Sequence, residues 1–187
     1  MRFTKMQAAG NDYVYMDTLK APISSPEALA RRISDRHFGV GSDGLILICP
    51  PSDPGEADFR MRMFNADGSE AEMCGNGIRC VGKYLYDSGR VRKDEMRIAT
   101  KSGIKTLRVF ASGGRVENVT VDMGPAAFAP AEIPAAVEGL PEVIDYPLEV
   151  GGREYRITCV SMGNPHCVVF CRNLDTLPLD KIGPLFE

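Results

Sequence analysis

The sequence predicts an α+β protein with at least two helices and many short strands. Short stretches that alternate apolar and polar residues recur along the chain, and two other segments place apolar residues at helical spacing. At 187 residues, with 44% hydrophobic and 25% charged residues, the chain is long enough to bury a core in one or two domains.

The first elements are two strands within residues 1–17, joined at the polar turn AAGND. A helix is predicted from Pro26 to about His37, because proline suits the first helical position. Ser25 is its expected N-cap, and Ile33 lies on its inward face. The glycine-rich segment GVGSDG at residues 39–44 is then predicted to be a flexible loop that leads into the buried strand LILIC.

The central segment, FNADGSEAEMCGNGIRCVGKYLYDSG, follows the alternating strand FRMRMF at residues 59–64. In this segment a strand ends in a polar loop, and a helix begins near Gly75. Ile78, Val81 and Leu85 give the helix an apolar face, and Gly89 is a natural stop. Five later stretches continue the strand-rich pattern: MRIAT, IKTLRVF, VENVTVDM, REYRITCVS and CVVFC.

A domain boundary is predicted between Met123 and Pro147, where prolines are frequent and periodicity is weak. We therefore expect a first domain over residues 1–123 and a second over residues 124–187. MGNPHCVVF in the second part is similar to MQAAGNDYVYM near the start, which suggests a duplicated architecture. The 63-residue spacing from Asn11 to Cys74, counted from Asn164, runs past Glu187. A second counterpart of Cys74 is thus not expected within this sequence.

Bulk properties favour a small-molecule partner. The net charge is -3, the pI is about 5.5 and the mean hydropathy is -0.13, so the overall charge gives no bulk attraction for nucleic acid or an anionic membrane. No apolar run is long enough to cross a bilayer, and the start has no export signal, so we expect a cytoplasmic protein. The chain has six cysteines but no CxxC pair, and it has only two histidines, so a metal site is poorly supported.

Cys74 is the candidate for chemistry. At a helix N-terminus, unpaired backbone N–H groups and the positive end of the helix dipole favour the thiolate. The same N–H groups can hold a carboxylate, and glycines allow close approach of a ligand. Three other interpretations stay open: a packing cysteine, a phosphate-binding loop, which here lacks the GK[ST] ending, and an acyl-transfer nucleophile with His166 as its base.

Four separated motifs resemble those of diaminopimelate epimerases, in the same order and over essentially the whole chain. They are FTKMQAAGNDYVYMD, GVGSDG, FNADGSEAEMCGNGIRC and SMGNPHCVVF. The resemblance implies two pseudo-symmetric domains, each with a barrel-like sheet around a central helix. It also implies interconversion of LL- and meso-diaminopimelate for lysine and cell-wall synthesis, by a homodimer that uses no cofactor or metal. Two cysteines on opposite faces of the α-carbon exchange the proton in this family.

The resemblance assigns roles to matching residues. Cys74 matches the first catalytic cysteine, and His166 matches a histidine that tunes the proton affinity of the cysteine pair. The substrate-binding residues implied by the match are Asn11, Asn65, Gly75, Asn76 and Asn164. Cys80 is predicted to point away from the site, and the other four thiols, Cys49, Cys159, Cys167 and Cys171, are predicted to lie in the core.

This sequence also departs from the family pattern. Gly44 stands where some members carry a substrate-contacting glutamine, and the second cysteine is absent, so the second domain is expected to be incomplete and the chain inactive alone. Two alternatives therefore stay open: an isomerase of the proline or hydroxyproline racemase type, and a non-catalytic truncated relative that acts as a binding protein.

Overall fold

The structure is a computed structural model that describes residues 2–137 and 139–186. The chain divides into two units, Met1–Met123 and Gly124–Glu187. The first unit contains the strands β1 to β8 and the helices α1 and α2, and the second contains β9 to β11 and the short helix α3. Each unit has its own sheet and its own buried apolar residues.

In the first unit, the strands are β1 (Thr4–Ala8), β2 (Asn11–Asp17), β3 (Gly44–Cys49), β4 (Phe59–Asn65), β5 (Glu70–Ala71), β6 (Glu95–Thr100), β7 (Gly103–Ser112) and β8 (Arg115–Val121). The helices are α1 (Pro26–Ser34) and α2 (Gly75–Asp87). The sheet order is β1-β2-β3-β4-β6-β7-β8, with β5 paired to β4. The β2–β3 and β4–β6 pairs are parallel and the other pairs are antiparallel.

Helices cover both faces of the central strands. Along β2, Tyr13 and Tyr15 belong to the buried cluster that contains Leu85 of α2, whereas Val14 belongs to the cluster that contains Ile33 of α1. Successive strand residues point to opposite faces, so each of the strands β2, β3 and β4 contributes to two cores. This explains why LILIC has a continuous apolar sequence instead of an alternating one.

The sheet curls around α2. A β-carbon added at Gly82 would lie 2.9 Å from Leu107 of β7 and 3.3 Å from Val119 of β8. On the other side, the Tyr15 hydroxyl of β2 donates to the Gly77 carbonyl at 3.3 Å. Because β2 and β8 lie near opposite ends of the strand order, the sheet wraps the helix. The prediction of a barrel-like sheet around a central helix is confirmed for this unit.

In the second unit, a sheet of order β11-β10-β9 is formed by β9 (Tyr146–Val150), β10 (Arg153–Ser161) and β11 (Pro165–Val169), and α3 spans Leu179–Ile182. Sequence reasoning missed β9, because Pro147 indicates irregular structure. The β10–β11 hairpin is locally similar to the β1–β2 hairpin. Both are antiparallel, and Gly10 (φ 87°) and Gly163 (φ 96°) each directly precede an asparagine.

Three features of the α1 region differ from the prediction. Helix α1 ends at Ser34 instead of His37, because the Asp35 carboxylate accepts the backbone N–H groups of His37 and Phe38, both at 2.8 Å. Ser25 occupies the N-cap position, but its side chain makes no capping hydrogen bond. The loop after α1 is also hydrogen bonded to its surroundings, since the N–H groups of residues 40–42 donate to Ile33 and Ser34 carbonyls.

The prediction of core thiols is only partly right. Cys80 and Cys159 are buried and Cys49 is half-buried, but Cys167 and Cys171 are exposed. Cys167 lies on β11, at the edge of its sheet, and an apolar side chain does not by itself reveal that its strand is an edge strand. None of the helices that the structure describes is long and apolar enough to span a membrane.

Candidate active site

Cys74 is the N-cap of α2. Its backbone is extended (φ -135°, ψ 113°), and its Sγ accepts the backbone N–H of Gly77 at 3.3 Å. Helix α2 packs closely against β3 at Gly77, because an added β-carbon would lie 2.6 Å from Cδ1 of the buried Ile46 and would displace that side chain. The sulfur is therefore held at the positive end of the helix by close packing of α2 against β3.

The first N–H groups of α2 are open to a ligand. Gly75 and Asn76 are half-buried, and neither backbone N–H has an acceptor within residues 2–137 and 139–186. A β-carbon at Gly75 would come no closer than 3.6 Å to its nearest neighbour, the side chain of Met123. Two unpaired N–H groups at a helix start form a binding site for an anion such as a carboxylate.

Two of the predicted asparagines are brought together at this helix end. Asn76 Nδ2 donates to Asn11 Oδ1 at 3.1 Å, although the two residues are 65 positions apart. Asn65 lies at the same edge of the sheet, because strand register places Tyr13, Gly44 and Asn65 in one row across β2, β3 and β4. Of the residues predicted in the first unit, Asn11 and Asn76 are thus in direct contact beside Cys74, and Asn65 lies farther along that edge.

Asn164 and His166 belong to the second unit. Asn164 lies in the turn between β10 and β11, and His166 lies on β11 opposite Val160; both are exposed. Their roles beside Cys74 remain predictions.

Sequence reasoning missed Tyr13, which is buried in β2 two positions after Asn11. Burial, together with the neighbouring Cys74 thiol, raises the pKa of Tyr13 above its usual range, so the phenol stays protonated. The signal that would have found it is the period of a strand, since Asn11 and Tyr13 project to the same face.

An ionic cluster behind Asn11 was also missed. Arg36 Nη2 contacts Asp12 Oδ1 at 2.8 Å and Asp43 Oδ1 at 2.9 Å, and Lys5 Nζ lies 3.0 Å from Asp12 Oδ2. The hydrogen bond from Arg36, and then that from Lys5, holds the pKa of Asp12 well below its usual range. Nothing in local sequence brings these residues together, since they come from β1, β2 and the two ends of the loop after α1.

Two other acidic groups near the site have structural partners. Asp67 accepts from the Ser69 N–H at 2.8 Å and its hydroxyl at 2.6 Å, which stabilises a turn. Glu70 pairs instead with Arg62, at 2.7 Å. No group of three or more His, Cys, Asp or Glu side chains that could hold a metal ion occurs in the part of the chain that the structure describes.

Comparison with known proteins points in one direction. The family model for diaminopimelate epimerase matches residues 3–129. The diaminopimelate epimerase of Desulfovibrio desulfuricans is 53% identical over 192 residues, covering 100% of this chain and 66% of the relative. That of Acetivibrio thermocellus is 50% identical over 188 residues, covering 100% of this chain and 65% of the relative. The chain thus spans slightly less than two thirds of the length of these relatives.

Solved structures show the same fold at low identity. A hydroxyproline epimerase from Agrobacterium vitis superposes with a TM-score of 0.67 and 17% identity, covering 94% of this chain and 53% of that one. A predicted epimerase from Pseudomonas aeruginosa gives a TM-score of 0.57 and 19% identity, covering 98% of this chain and 67% of that one. The sequence matches, taken with the fold, show that the chain belongs to the diaminopimelate epimerase family.

Proposed function

We propose that this chain supplies the first thiol of a diaminopimelate epimerase. The observation that carries the proposal is the position of the Cys74 sulfur at the N-cap of α2, next to the open N–H groups of Gly75 and Asn76. One short segment therefore combines a base with a carboxylate site. An amino acid bound by its carboxylate there presents its α-carbon to the sulfur.

The chemical step follows from this arrangement. The Cys74 thiolate takes the α-proton, so an S–H bond forms as the C–H bond breaks, and the electron pair stays on the substrate as a carbanion delocalised into the carboxylate. The charge that develops on the carboxylate oxygens is stabilised by the Gly75 and Asn76 N–H groups and the helix dipole. The protonated Tyr13 phenol beside the sulfur adds a polar neighbour that carries no charge of its own.

Inversion requires a proton donor on the opposite face of the α-carbon. About a third of each relative's length lies outside the matched region, and we propose that the donor thiol belongs to that additional length. Asn164 and His166 of the second unit then contribute substrate binding and tuning of the thiol pair. A cytoplasmic homodimer of full length, acting in lysine and cell-wall precursor synthesis without a cofactor, is the corresponding whole enzyme.

The diaminopimelate assignment is favoured over a proline or hydroxyproline racemase. Relatives of about 50% identity across the whole chain are diaminopimelate epimerases, whereas the hydroxyproline epimerase is 17% identical and shares the fold alone. A purely binding role is disfavoured because Cys74 is the N-cap of α2, where the helix dipole favours a thiolate.

The test is exchange of the substrate α-proton with solvent deuterium. The 187-residue chain is incubated with LL-diaminopimelate in D₂O, and deuterium incorporation is followed by mass spectrometry. We expect slow incorporation of one deuteron without inversion. This incorporation should be lost in Cys74→Ser, whose hydroxyl can still cap the helix but is not ionised at neutral pH. Cys171→Ser, at an exposed thiol of the second unit, is the matched control.

Three outcomes would contradict the proposal. Equal exchange by Cys74→Ser would remove the base role, and preferential exchange of trans-4-hydroxy-L-proline would favour the racemase. Rapid conversion of the LL to the meso form by this chain alone would show that a second donor thiol is not needed.

A further inference from the structure

A chain of polar side chains runs through the candidate site from one end to the other. Arg79 Nη2 donates to Asn76 Oδ1 at 2.6 Å, and Asn76 Nδ2 donates to Asn11 Oδ1 at 3.1 Å. Asn11 Nδ2 in turn donates to Asp43 Oδ2 at 3.3 Å. Four side chains from α2, β2 and the loop before β3 are thereby joined in one direction.

We propose that Arg79 and Asp43 are positioning residues that fix, from opposite ends, the amide orientations of Asn11 and Asn76. The functional meaning of this amide relay rests on the proposed function, because it assumes that these two asparagines bind substrate. The relay itself is a statement about the free protein and is testable without substrate.

The physical basis is that the two end groups are unambiguous. A guanidinium can only donate hydrogen bonds, and a carboxylate can only accept them, whereas an asparagine amide can do either. Turning both amides around would place the Asn76 NH₂ against the Arg79 guanidinium and the Asn11 carbonyl against the Asp43 carboxylate. Each reversed contact would set two donors or two acceptors face to face, so only one orientation of the pair satisfies the relay.

The fixed polarity has a consequence for a ligand. Each amide spends one N–H and one oxygen lone pair inside the relay and keeps one of each for a partner. An amino group of a ligand needs an acceptor, and a carboxylate needs a donor. The positions of the free acceptors and donors on the two asparagines are therefore fixed before the ligand binds. Such preorganisation removes the cost of turning two amides on binding.

Asp43, which belongs to the GVGSDG segment, is itself held in place by neighbouring residues. Its Oδ2 also accepts the Asp12 N–H at 3.0 Å, and its Oδ1 accepts from Arg36 at 2.9 Å. The Asp43 N–H donates to the Asp12 carbonyl at 2.7 Å. Three contacts to neighbouring elements thus fix the acceptor end of the relay independently of the asparagines.

The experiment combines single and double substitutions on the 187-residue chain. Asp43→Asn and Arg79→Gln each replace an unambiguous end group by an amide of similar shape. We expect each to lower the deuterium-exchange rate at subsaturating LL-diaminopimelate about tenfold, the scale of one hydrogen bond to a charged group. The loss should lie mainly in the half-saturating substrate concentration, since the sulfur is unchanged.

The double variant is the sharpest measurement. Independent sites would lose about a hundredfold together, whereas a relay that is already broken at one end should lose no more than about thirtyfold. Arg79→Lys keeps a donor and should retain most of the rate. Asp94→Asn and Arg108→Gln, at exposed positions outside the site, are the matched controls and should leave the rate unchanged.

A second readout separates the relay from the proposed function. In the ¹⁵N spectrum of the free protein, the Asn11 side-chain amide should shift in Arg79→Gln, because Asn76 joins the two side chains through its two hydrogen bonds. An unchanged Asn11 amide, or a fully multiplicative double variant, would overturn the relay. Absence of exchange in the unsubstituted chain together with the amide shift would instead reject the proposed function and keep the relay.

Discussion

Gly75→Ala should separate stability from chemistry at the candidate site. The added β-carbon would lie 3.6 Å from the Met123 side chain, which is an ordinary van der Waals distance, and Gly75 does not have a positive φ. Replacing a helical glycine with alanine then stabilises the protein by about 0.5 kcal/mol, chiefly by restricting the unfolded chain. For a chain of this size that corresponds to a rise in Tm of roughly 1–2 °C.

The same methyl group should impair ligand binding. It would stand beside the N–H groups proposed to hold the carboxylate, and loss of one charge-assisted hydrogen bond lowers the exchange rate about tenfold or more. Urea unfolding and deuterium exchange are measured on the same preparation. Gly77→Ala is the comparison, because its β-carbon would lie 2.6 Å from Ile46 Cδ1 and should cost about 1–3 kcal/mol of stability.

The reasoning fails if Gly75→Ala exchanges deuterium at the unsubstituted rate, because the helix end would then not be the carboxylate site. It also fails if this variant is less stable than the unsubstituted chain, because the space inferred beside Gly75 would be filled.

Two further predictions concern the stability of the first unit. Gly44→Ala should lower the free energy of unfolding by about 1–3 kcal/mol in urea titrations, because its β-carbon would overlap the Phe64 carbonyl oxygen. An unchanged midpoint would contradict the close strand packing. Hydrogen bonds from Arg36 and then Lys5 lower the pKa of Asp12, so the ionised carboxylate stabilises the fold at neutral pH. This contribution is lost as the pH falls below about 4, the unfolded-state value, and through the folded-state pKa. The Tm should therefore drop less between pH 7 and pH 3 in Asp12→Asn than in the unsubstituted chain, and parallel curves would show that the ion pairs add nothing.

The secondary structure of the first unit follows largely from periodicity. Helix α2 was predictable because Ile78, Val81 and Leu85 recur at helical spacing and Gly89, with φ 74°, ends the helix as expected. Helix α1 was predicted three residues too long, because capture of backbone N–H groups by Asp35 overrides helix propensity locally. Strand β9 was missed because Pro147, which lies within it, indicates irregular structure in the sequence.

The candidate site was predictable only in part. Sequence reasoning located Cys74 at a helix start, which the structure shows as the N-cap. Helical spacing could have indicated the contact of Arg79 with Asn76, because the two residues are an i, i+3 pair within α2. Sequence reasoning could not place Asp43 in contact with Asn11, because that contact joins β2 to the loop before β3 across 32 positions. Such contacts depend on strand register and on the path of the loop after α1, neither of which is encoded in a local pattern.

The hydrogen bond from the Gly77 N–H to the Cys74 sulfur links the proton state of the thiol to the backbone of α2. A thiolate is a strong acceptor and a thiol is a weak one, so each proton taken from a substrate weakens the cap that begins the helix. The backbone amide of Gly77 is therefore a built-in reporter. Its amide proton chemical shift should change as the Cys74 sulfur gains or loses its proton, and no label on the substrate is needed to follow it.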